Sequence, residues 1–549
     1  MRYPRWGGKW LLLLLLALWD IGPAHAQSPA DATFLSTLGE MRDATYSDKA
    51  AIAERLSQTG HRSVRAVLTA LMDDRLFFRN SDQKIFIVKS ADEDPLQLID
   101  PLSLKNAGAS AADSMTKIGT NNGLRHTLRT VVAHFALASP DSAVRLEAVK
   151  DMLQSLDDPT VALLRKRLAV ETNSSVKKEI AAGLALAALD GSDTKQRLEA
   201  IATLSHSVSQ DIRNRLSALL DKSPDGSFAE PDQLVRTAAA AAVGNIDQSR
   251  DFYSGIETLF FGLSLGSVLV LIAIGLAITF GVMGVINMAH GELMMLGAYT
   301  TYVVQTAMPG HIGISIVVAI PASFIVAGLV GVAMERTIIR HLYGRPLETL
   351  LATFGVSLVL QQAVRSIFSA LNRSVVTPDW MSGSLQLNDA LAITYNRLYI
   401  VIFTLIVFFV LLAVLKRTRI GLDIRAVSQN RAMAKAMGIR TEWVDAMTFG
   451  LGSGIAGVAG VALSQLTNVG PNLGQSYIID SFLVVVFGGV GNLWGALIGG
   501  MSMGIVNKLL EPYAGAVLAK IFVLVGLILF IQVRPRGLFP QSGRASEDK

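Results

Sequence analysis

The feature that most constrains this chain is a series of long apolar blocks between residues 255 and 533, separated by short polar islands. A helix needs about 20 apolar residues to cross the ~30 Å hydrocarbon core of a bilayer, and it must satisfy its own backbone hydrogen bonds there. We therefore predict an all-α, polytopic membrane helix bundle of about eight spans. The predicted crossings lie near 257–280, 283–306, 312–335, 347–370, 397–415, 443–467, 481–510 and 514–533.

The composition of the whole chain agrees with a membrane protein, because 51% of its 549 residues are hydrophobic and only 17% are charged. A chain of this length exceeds one ordinary domain. The sequence contains no cysteine, which excludes disulfides, thiolate metal ligands and cysteine nucleophiles. The net charge of +5 is modest, and we expect no nucleic-acid partner.

The first 26 residues have the pattern of a secretory signal peptide. A basic start is followed by the apolar run 10–19 and then by Ala24 and Ala26 in an A-x-A arrangement. The apolar run is about half as long as a spanning helix, which favours cleavage after Ala26 over an N-terminal membrane anchor. The predicted domains are a signal peptide at 1–26, an exported (periplasmic) helical domain at 27–250, a transmembrane domain at 251–540 and a polar tail at 541–549.

The exported region mixes charged and apolar residues as a soluble helical protein does. Apolar residues recur at helical spacing in 142–156 and again in 174–189. A period of roughly 30–45 residues built from helix pairs is typical of a HEAT-like α-solenoid, with an irregular helical bundle as the alternative. Residues 76–89 break the pattern and predict two short strands. No catalytic motif occurs here, which favours an interaction or structural domain over an enzyme.

The basic loops predict the orientation of the spans. The segments 335–345 and 416–440 and the C-terminal tail carry clusters of arginine and lysine, so we predict that all three are cytoplasmic. The loops at 307–311 and 470–477 carry neither residue and are predicted to face outside. The first span then enters from outside, in agreement with an exported N-terminal domain in a bacterial inner membrane.

A cytoplasmic C-terminus requires that the block 481–510 crosses twice or re-enters the membrane. This block is broken by Gly488, Gly489, Gly491 and Gly495. Broken backbone at membrane depth is tolerated where it is buried in protein or lines a cavity. We therefore predict two short segments that meet at the glycines. The alternative is one long kinked helix and an exported basic tail.

The polar island "GLDIRAVSQNRAMAKAMGI" at 421–439 predicts a helix that lies outside the hydrocarbon. Asp423 is the predicted N-cap and Gly438 the predicted residue after the C-terminus, which gives a helix of ~20 Å. One side of this helix is apolar: Ile424, Val427, Ala434 and Met437. The basic residues left for water or a partner are Arg425, Arg431 and Lys435. The helix either lies on anionic membrane lipid or docks a cytoplasmic protein.

Four stretches carry a resemblance to a known family: "NMAHGE" (287–292), "RAVSQNRAMAKAMGI" (425–439), "VVVFGGVGNLWGALIGG" (484–500) and "RPRGLFP" (534–540). With these motifs, residues 255–540 resemble the LivH-type permeases of branched-chain amino acid ABC importers. The polar island resembles the coupling loop on which the ATPases of such importers dock. The stretches 345–368 and 468–482 are similar to the urea-importer branch of this family. The exported region, which ordinary LivH-type permeases lack, also resembles that branch.

The resemblance implies a transport subunit that is not an enzyme. The implied partners are a second, LivM-like permease, two cytoplasmic ABC ATPases and a periplasmic substrate-binding protein. The sequence contains no G-x-x-x-x-G-K-[ST] motif, so we expect no cofactor in this chain and ATP only in the partner subunits. The resemblance assigns contact with the ATPases to Asp423, Arg425, Gln429, Arg431, Lys435, Met437 and Gly438.

Urea is the substrate that the resemblance favours. Within the family, the alternative is a permease for branched-chain amino acids or short amides. In another class, the alternative is a membrane channel or sensor that uses the exported region as its sensing domain. Co-purification of ATPase subunits would separate the two classes.

The stretch "VINMAHGELMMLG" at 285–297 places His290 and Glu292 inside an apolar run. Residues two apart do not share a helix face, and no third ligand is near, which argues against a metal site. A proton relay would need a chain of ionisable groups. The orientation puts both residues, with Asn287, at the cytoplasmic end between the first two spans. We predict a gate or structural role there, with a pore-lining role as the alternative.

A path for urea needs amide and hydroxyl partners rather than fixed charges, because urea is small, neutral and rich in hydrogen-bonding groups. The predicted candidates are Thr353, Ser357, Gln361, Asn468, Gly488, Gly489, Asn492 and Trp494. Asn492 and the glycines rank first, because freed backbone groups can face a substrate. For each polar side chain, the alternative is a hydrogen bond between helices.

A glycine-rich stretch at 450–463 predicts close helix packing. Gly452, Ala456 and Gly460 have the small-xxx-small spacing that lets two helix backbones approach. We expect this face to pack within the bundle or against the second permease.

Overall fold

The computed structural model describes residues 29–91, 94–153, 156–222 and 227–539. The predicted signal peptide, with Ala24 and Ala26, and the predicted polar tail at 541–549 lie outside the described residues. The chain forms two compact units, one ending at Ile246 and the other continuing from Asp247.

The first unit begins with three helices and a five-stranded antiparallel sheet. The helices are α1 Pro29–Gly39, α2 Tyr46–Gln58 and α3 Val64–Met72. The strands are β1 Leu76–Arg79, β2 Ile85–Val88, β3 Leu96–Ile99, β4 Asn106–Ser110 and β5 Met115–Lys117, in the spatial order β4-β3-β2-β1-β5. One face of the sheet joins the apolar core of the three helices, and the other face has a small core of its own.

The strand pair predicted at 76–89 is confirmed as β1 and β2, with Phe77 opposite Phe86. The other three strands were not predicted. They are only three to five residues long, and β4 is exposed along almost its whole length. β4 and β5 lack the alternation of apolar residues on which strand prediction depends, and β3 shows it over only four residues.

Six helices follow the sheet: α4 Asn122–Leu137, α5 Ser142–Met152, α6 Asp158–Val170, α7 Ser174–Ala188, α8 Thr194–Leu204 and α9 Gln210–Ala218. The four helices from α5 to α8 each begin after an acid or amide whose side chain accepts backbone N–H groups of the first turn. These N-caps are Asp141, Asp157, Asn173 and Asp193. The caps explain where each helix begins, because they satisfy donors that a helix start leaves free. The assignment to a HEAT-like solenoid stays a prediction.

A buried ion cluster ties α5 to α6. Arg145 donates to both carboxylate oxygens of Glu171 at 2.9 and 2.8 Å, and Arg167 donates to the same carboxylate at 2.8 Å. Hydrogen bonds from Arg145, and then from backbone N–H groups and Arg167, hold the pKa of Glu171 well below its usual range despite its burial. The carboxylate is therefore ionised in the folded domain.

The second unit is built mostly from long helices. The first of them begins before the unit boundary at Asp247. They are α10 Gln233–Met283, α11 His290–Ala307, α12 Ile312–Thr337, α13 Pro346–Phe368, α14 Tyr395–Arg417, α15 Arg419–Gln429, α16 Arg431–Ala436, α17 Thr441–Ser464, α18 Leu473–Gly488 and α19 Leu493–Val533. A hairpin of β6 Ser384–Asn388 and β7 Leu391–Thr394 precedes α14. Six of the described helices are long and apolar enough to span a bilayer: α10, α12, α13, α14, α17 and α19. The predicted helical, polytopic membrane fold is confirmed, although about eight spans were predicted and the first unit adds a five-stranded sheet.

One end of the bundle gathers the segments that were predicted to be cytoplasmic. Val427 of α15 packs in one cluster with Val282, near the end of α10. The neighbouring Gly281 lies against Gly491, in the turn before α19. The C-terminal segment 534–539 returns to this turn and bonds its backbone to the end of α18. We call this the basic end of the bundle.

The opposite end gathers loops that were predicted to face outside. Arg373 and Val469 exchange backbone hydrogen bonds of 2.7 and 2.8 Å. The side-chain amide of Gln305 bonds the backbone of Val376 through both of its ends, at 2.8 and 2.7 Å. The loops that were predicted to lie on the same side of the membrane are found at the same end of the bundle. Which end faces the cytoplasm stays a prediction.

The predicted break in the block 481–510 is present as a turn between two helices. Gly489 and Gly491 have φ angles of +102° and +77°, which only glycine adopts easily. A Cβ on Gly488 would overlap the backbone of Gly495, so the glycines also let the two helices touch. The second helix, α19, continues through a kink at Gly515 to Val533. The interpretation as two segments, rather than one kinked helix, is confirmed.

The predicted small-residue face of α17 packs inside the bundle. A Cβ on Gly452 would lie 2.6 Å from the carbonyl oxygen of Gly275 in α10. A Cβ on Gly460 would overlap the backbone of α11, and Gly297 of α11 meets Gly457 in the same way. The contact partners of this face are therefore helices of the same chain.

Replacing Gly297 by alanine should disrupt the assembly of the bundle, because its Cβ would overlap the carbonyl oxygen of Gly457. Overpacking of this kind costs about 1–3 kcal/mol. We expect a lower unfolding temperature and less monodisperse protein in size-exclusion chromatography of the detergent-solubilised chain. The matched control is Gly526→Ala in α19, where a Cβ meets no atom within 4 Å. Equal stability of the two variants would contradict the packing.

Replacing Glu171 by glutamine should destabilise the first unit, because Arg145 would lose its anionic partner inside the fold. We expect roughly tenfold or faster hydrogen exchange in α5 and α6 of the full-length chain. The folded-state pKa of Glu171 lies below its unfolded value. The stabilisation is therefore complete above about pH 4.5 and decreases as the pH falls further. The variant should lack this acid-dependent step; an identical pH profile in the two proteins would contradict the assignment.

Candidate functional site

The boundary between α10 and α11 is a non-helical stretch inside the bundle. α10 ends at Met283, Gly284 has a φ of +68°, and α11 begins only at His290. Side chains satisfy two backbone donors of this stretch: Asn287 Oδ1 accepts from Ala289 N at 3.0 Å, and Thr353 Oγ1 of α13 accepts from Met288 N at 3.1 Å. These bonds let an unwound backbone lie where water does not reach it.

His290 lies well inside the bundle rather than at its basic end. Its Nε2 lies 3.0 Å from the carbonyl oxygen of Ile272. Ile272 precedes the end of α10 by three helical turns, or about 16 Å at 1.5 Å per residue. The predicted location at the cytoplasmic mouth is therefore wrong for His290 and Glu292. The prediction assumed a helix from residue 283, whereas the stretch 284–289 is not helical and α11 begins farther inside the bundle.

The carboxyl group of Glu292 is buried and bonded to α13. Its Oε1 accepts from Ser357 Oγ at 3.1 Å and from Gln361 Nε2 at 2.8 Å. Only 1% of Glu292 is exposed, and its Oε2 has no hydrogen-bond partner among the described residues. Ser357 lies halfway along the 23-residue α13. The group formed by Asn287, Glu292, Thr353, Ser357 and Gln361, which we call the Glu292 cluster, thus lies near the middle of a spanning helix.

The buried face of α13 is a polar stripe with a period of four residues: Thr349, Thr353, Ser357 and Gln361. Residues four apart lie on the same face of a helix. The opposite face is apolar and exposed at Leu351, Leu358 and Val359. A surface helix of a soluble protein exposes its polar face and buries its apolar face, whereas α13 does the reverse. Its polar groups therefore lie against α11. The stripe is readable in the sequence, and it is the signal that could have located the partners of Glu292.

The Glu292 cluster offers hydrogen-bond donors and acceptors to a small polar molecule. The carboxyl group accepts, the amide of Gln361 donates and accepts, and the hydroxyls of Ser357 and Thr353 do both. Arg365, one turn farther along α13, directs its guanidinium to Asn472 Oδ1 at 2.7 Å. The described residues contain no group of three or more His, Asp or Glu side chains placed to hold a metal ion. His290 and Glu292 bond to different helices, as their spacing predicted.

The remaining predicted path residues do not join the Glu292 cluster. Asn468 is exposed at the opposite end of the bundle. Gly488 and Gly489 lie in the turn at the basic end, where they bring two backbones together. Asn492 caps α19 by accepting from Trp494 N at 3.0 Å, and the indole of Trp494 packs edge-on against the ring of Phe408. These contacts give the glycines and Asn492 structural functions.

The polar island at the basic end folds as two helices rather than one. Thr418 caps α15 through Gly421 N at 3.2 Å, and Asn430 caps α16 through Met433 N at 2.9 Å. The prediction that Asp423 is the N-cap is therefore wrong, because the helix begins four residues earlier and Asp423 lies within it. Gly438 follows α16 with a φ of +90°, which confirms the predicted C-terminal turn.

Three of the four predicted apolar contacts of the island are confirmed. Ile424, Val427 and Ala434 are buried and pack with Val444 at the start of α17. The prediction was wrong for Met437, which is 77% exposed because α16 ends before it. Exposed apolar side chains thus point away from the bundle on this segment: Ile420, Leu422, Met433 and Met437.

The prediction that Arg431 is left for water or a partner is wrong. Its guanidinium forms an ion pair with the buried carboxylate of Asp445 in α17 and lies 4.1 Å from the ring centre of Tyr343. A bonded cation stabilises a buried carboxylate, and Arg431 supplies one to Asp445. Gln429 and Lys435 are exposed, and Arg425 donates to the carbonyl oxygen of Leu415. Arg431 therefore fixes the island to the bundle.

Residues 258–532 match a protein family described as the permease component of the branched-chain amino acid transport system. The permease protein BraD of Pseudomonas aeruginosa is 31% identical over 54% of this chain and 99% of its own length. LivH of Escherichia coli is also 31% identical, over 55% of this chain and 99% of its own. Both are named as high-affinity branched-chain amino acid transport permeases.

The ribose import permease RbsC of Haemophilus influenzae is 25% identical over 48% of this chain and 79% of its own length. No solved structure matches this chain. The family match begins at residue 258, so it includes the Glu292 cluster and the polar island and leaves out the first unit. From the bundle architecture and these matches together, the chain belongs to the family of branched-chain amino acid transport system permease components.

Proposed function

We propose that this chain is the urea-translocating permease subunit of an ABC importer of the bacterial inner membrane. The observation that carries the proposal is the Glu292 cluster, a group of hydrogen-bonding side chains held at the middle of a spanning helix. Ionisable groups at membrane depth are costly and usually mark a substrate or ion pathway. The N-terminal domain is periplasmic and the C-terminus cytoplasmic in this proposal.

The cluster suits urea because urea presents four N–H donors and one carbonyl acceptor in a plane. The carboxyl group of Glu292 can accept N–H groups of urea, and its Oε2 has no protein partner to be displaced. The side chains of Ser357 and Gln361 can exchange their present bonds for bonds to the urea carbonyl. Such an exchange keeps every buried polar group paired, so that the molecule can pass without a large desolvation penalty.

A branched-chain amino acid is the second candidate substrate, favoured by the names of the relatives that are 31% identical. An amino acid zwitterion also needs a positive partner for its carboxylate and an apolar site for its side chain. The arginine one turn away, Arg365, is already bonded to Asn472. The described first unit also lies outside the matched region, and an added exported region is the feature that resembles the urea-importer branch. These two features favour urea.

In this proposal the polar island couples the ATPases to the Glu292 cluster. We infer that two separate ATPases dock on the exposed apolar side chains of α15 and α16. The buried side of this island packs on Val282, and Gly284 follows two residues later with open space around it. Rotation at Gly284 moves the stretch that carries Glu292. ATP binding then favours one of two arrangements of this stretch, by contacts that differ between the two states.

Two further partners complete the proposed importer. A second permease subunit covers part of the exposed apolar surface of the spanning helices, and a periplasmic binding protein delivers urea at the opposite end of the bundle. In this arrangement ATP binds only to the ATPase subunits. This chain supplies the path and the docking surface.

Replacing Gln361 by leucine should reduce urea uptake about tenfold, because the carboxyl group of Glu292 would lose a donor in a buried site. The measurement is uptake of labelled urea by vesicles that contain the complete importer, with labelled leucine as the competing substrate. The matched control is Gln362→Leu, since the neighbouring glutamine is exposed on the other face of α13. Both variants must reach the membrane in equal amounts. Unchanged urea uptake by the Gln361 variant, or a larger uptake of leucine than of urea by the wild type, would overturn the assignment.

Replacing Met437 by glutamate should weaken the contact with the ATPases, because Met437 is 77% exposed on the proposed docking surface. We expect less ATPase subunit to co-purify with the permease and at least a severalfold lower urea-stimulated ATP hydrolysis. The control is Leu387→Glu, a 59% exposed side chain on the hairpin that precedes α14. If the ATPases co-purify equally with both variants, the docking surface lies elsewhere.

A further inference from the structure

The contact between α11 and α13 continues beyond the Glu292 cluster toward the opposite end of the bundle. Glu292 of α11 accepts a hydrogen bond from Gln361 of α13. Seven residues later along both helices, the ring of Tyr299 packs on the ring of Phe368 with their centres 4.8 Å apart. The two helices therefore run in the same direction here. The aromatic pair lies two helical turns, or roughly 10 Å, from the buried carboxyl group.

The polar stripe of α13 ends where the aromatic pair begins. After Gln361, the face that is turned to α11 continues with Val364 and Phe368. These side chains form an apolar cluster with Tyr299, which is only 2% exposed, and with Val469 of the loop at the opposite end. A polar molecule that leaves the Glu292 cluster in this direction meets the apolar cluster first. In this structure the route to the opposite end is therefore closed.

The hydroxyl group of Tyr299 is out of place in an apolar cluster. It is buried and has no hydrogen-bond partner among the described residues. An unpaired buried hydroxyl costs free energy, and a phenylalanine ring would pack at this position without that cost. The cost disappears in an arrangement in which the rings separate and the hydroxyl faces a polar path. A tyrosine at this position thus favours a ring that is enclosed in only one of two arrangements.

The backbone directly after Phe368 is strained. Ser369 has φ and ψ angles of 74° and 169°, a region that is essentially restricted to glycine. The neighbouring loop holds it there. Arg373 donates to the carbonyl oxygen of Phe368 at 2.9 Å, and the backbone of Arg373 is paired with that of Val469. Strained residues of this kind cluster at switch regions and ligand clamps. Here the strain lies next to a ring that closes the route.

We propose that Tyr299 and Phe368 form a gate between the Glu292 cluster and the opposite end of the bundle. The gate opens when the end of α13 moves away from α11, which separates the two rings and relieves the strain at Ser369. The hydroxyl of Tyr299 then faces the path and bonds the passing polar molecule. This inference rests on the proposed function, because it requires a substrate path through the Glu292 cluster.

The test uses a cysteine in place of Ser357 as a reporter of access, since the chain contains no other cysteine. Vesicles that contain the complete importer receive a membrane-impermeant thiol reagent on either side, without ATP and with ATP bound. In this parent protein we expect modification from the side of the opposite end in only one nucleotide state. Adding Phe368→Ala should remove the plug and make modification from that side about fivefold faster in the other state.

The matched control is Ile367→Ala, because the neighbouring side chain is 72% exposed on the outer face of α13. It should leave the rate and the side of modification unchanged. If Phe368→Ala behaves like this control while the parent still alternates, the gate is wrong and the path stands. If the parent cysteine reacts from neither side in either state, the proposed path fails and the gate fails with it.

Two further variants separate a gate from ordinary packing, because both should stabilise the closed arrangement. Ser369→Gly removes the strain and should slow modification from the opposite end about fivefold, whereas Ser369→Ala keeps the strain and should not slow it. Tyr299→Phe removes the unpaired hydroxyl and should slow the same modification about threefold. Thermal unfolding of each variant checks its folding, and Ser369→Gly and Tyr299→Phe should not lower the unfolding temperature. Equal rates in Ser369→Gly and Ser369→Ala would contradict the gate.

Discussion

A carboxyl group buried among spanning helices must find hydrogen-bond donors within the protein, and the centre of the bundle depends on how Glu292 does so. Ser357 and Gln361 of α13 supply the donors. Glu292 reaches them only because α11 begins deep inside the bundle, which in turn requires the non-helical stretch 284–289. Asn287 and α13 hold this stretch by bonding its backbone. The need to bond the buried carboxyl group of Glu292 therefore determines where α11 begins and how it contacts α13.

The same stretch lies between the polar island and the Glu292 cluster, the two regions that the proposed mechanism couples. At its near end, Val282 packs with the buried side of α15 and α16. At its far end lies Glu292, with Gly284 between the two. Arg431 and Asp445 attach the island to α17, so force applied to the island reaches the bundle at two places. Helices packed through glycine contacts move as rigid bodies, because close-packed interiors transmit displacement rather than absorb it.

Much of the fold was predictable because its causes are local in the sequence. Apolar length predicts the spans, the glycines between 488 and 495 predict the turn before α19, and the basic loops predict which segments share an end. The break at 284–289 was missed because most of its residues are apolar and only Gly284 signals an end of helix. The ion pair between Arg431 and Asp445 was missed because it joins two elements, and pairing between elements has no periodic signature. The sequence shows the polar stripe on α13 that contains the partners of Glu292. Only the fold shows that this stripe faces α11.

In the proposed mechanism, the polar stripe of α13 lines a path that opens to the two sides of the membrane in turn. The chain has no cysteine, so a single cysteine in place of Ser357 can report access without further changes. In vesicles with the complete importer, we predict that a hydrophilic thiol reagent modifies this cysteine from one side without ATP and from the other side with ATP bound. Urea should slow the modification, and a cysteine at the exposed, lipid-facing Leu358 should not react in either state. A Ser357 cysteine that reacts from neither side in either state would contradict the account.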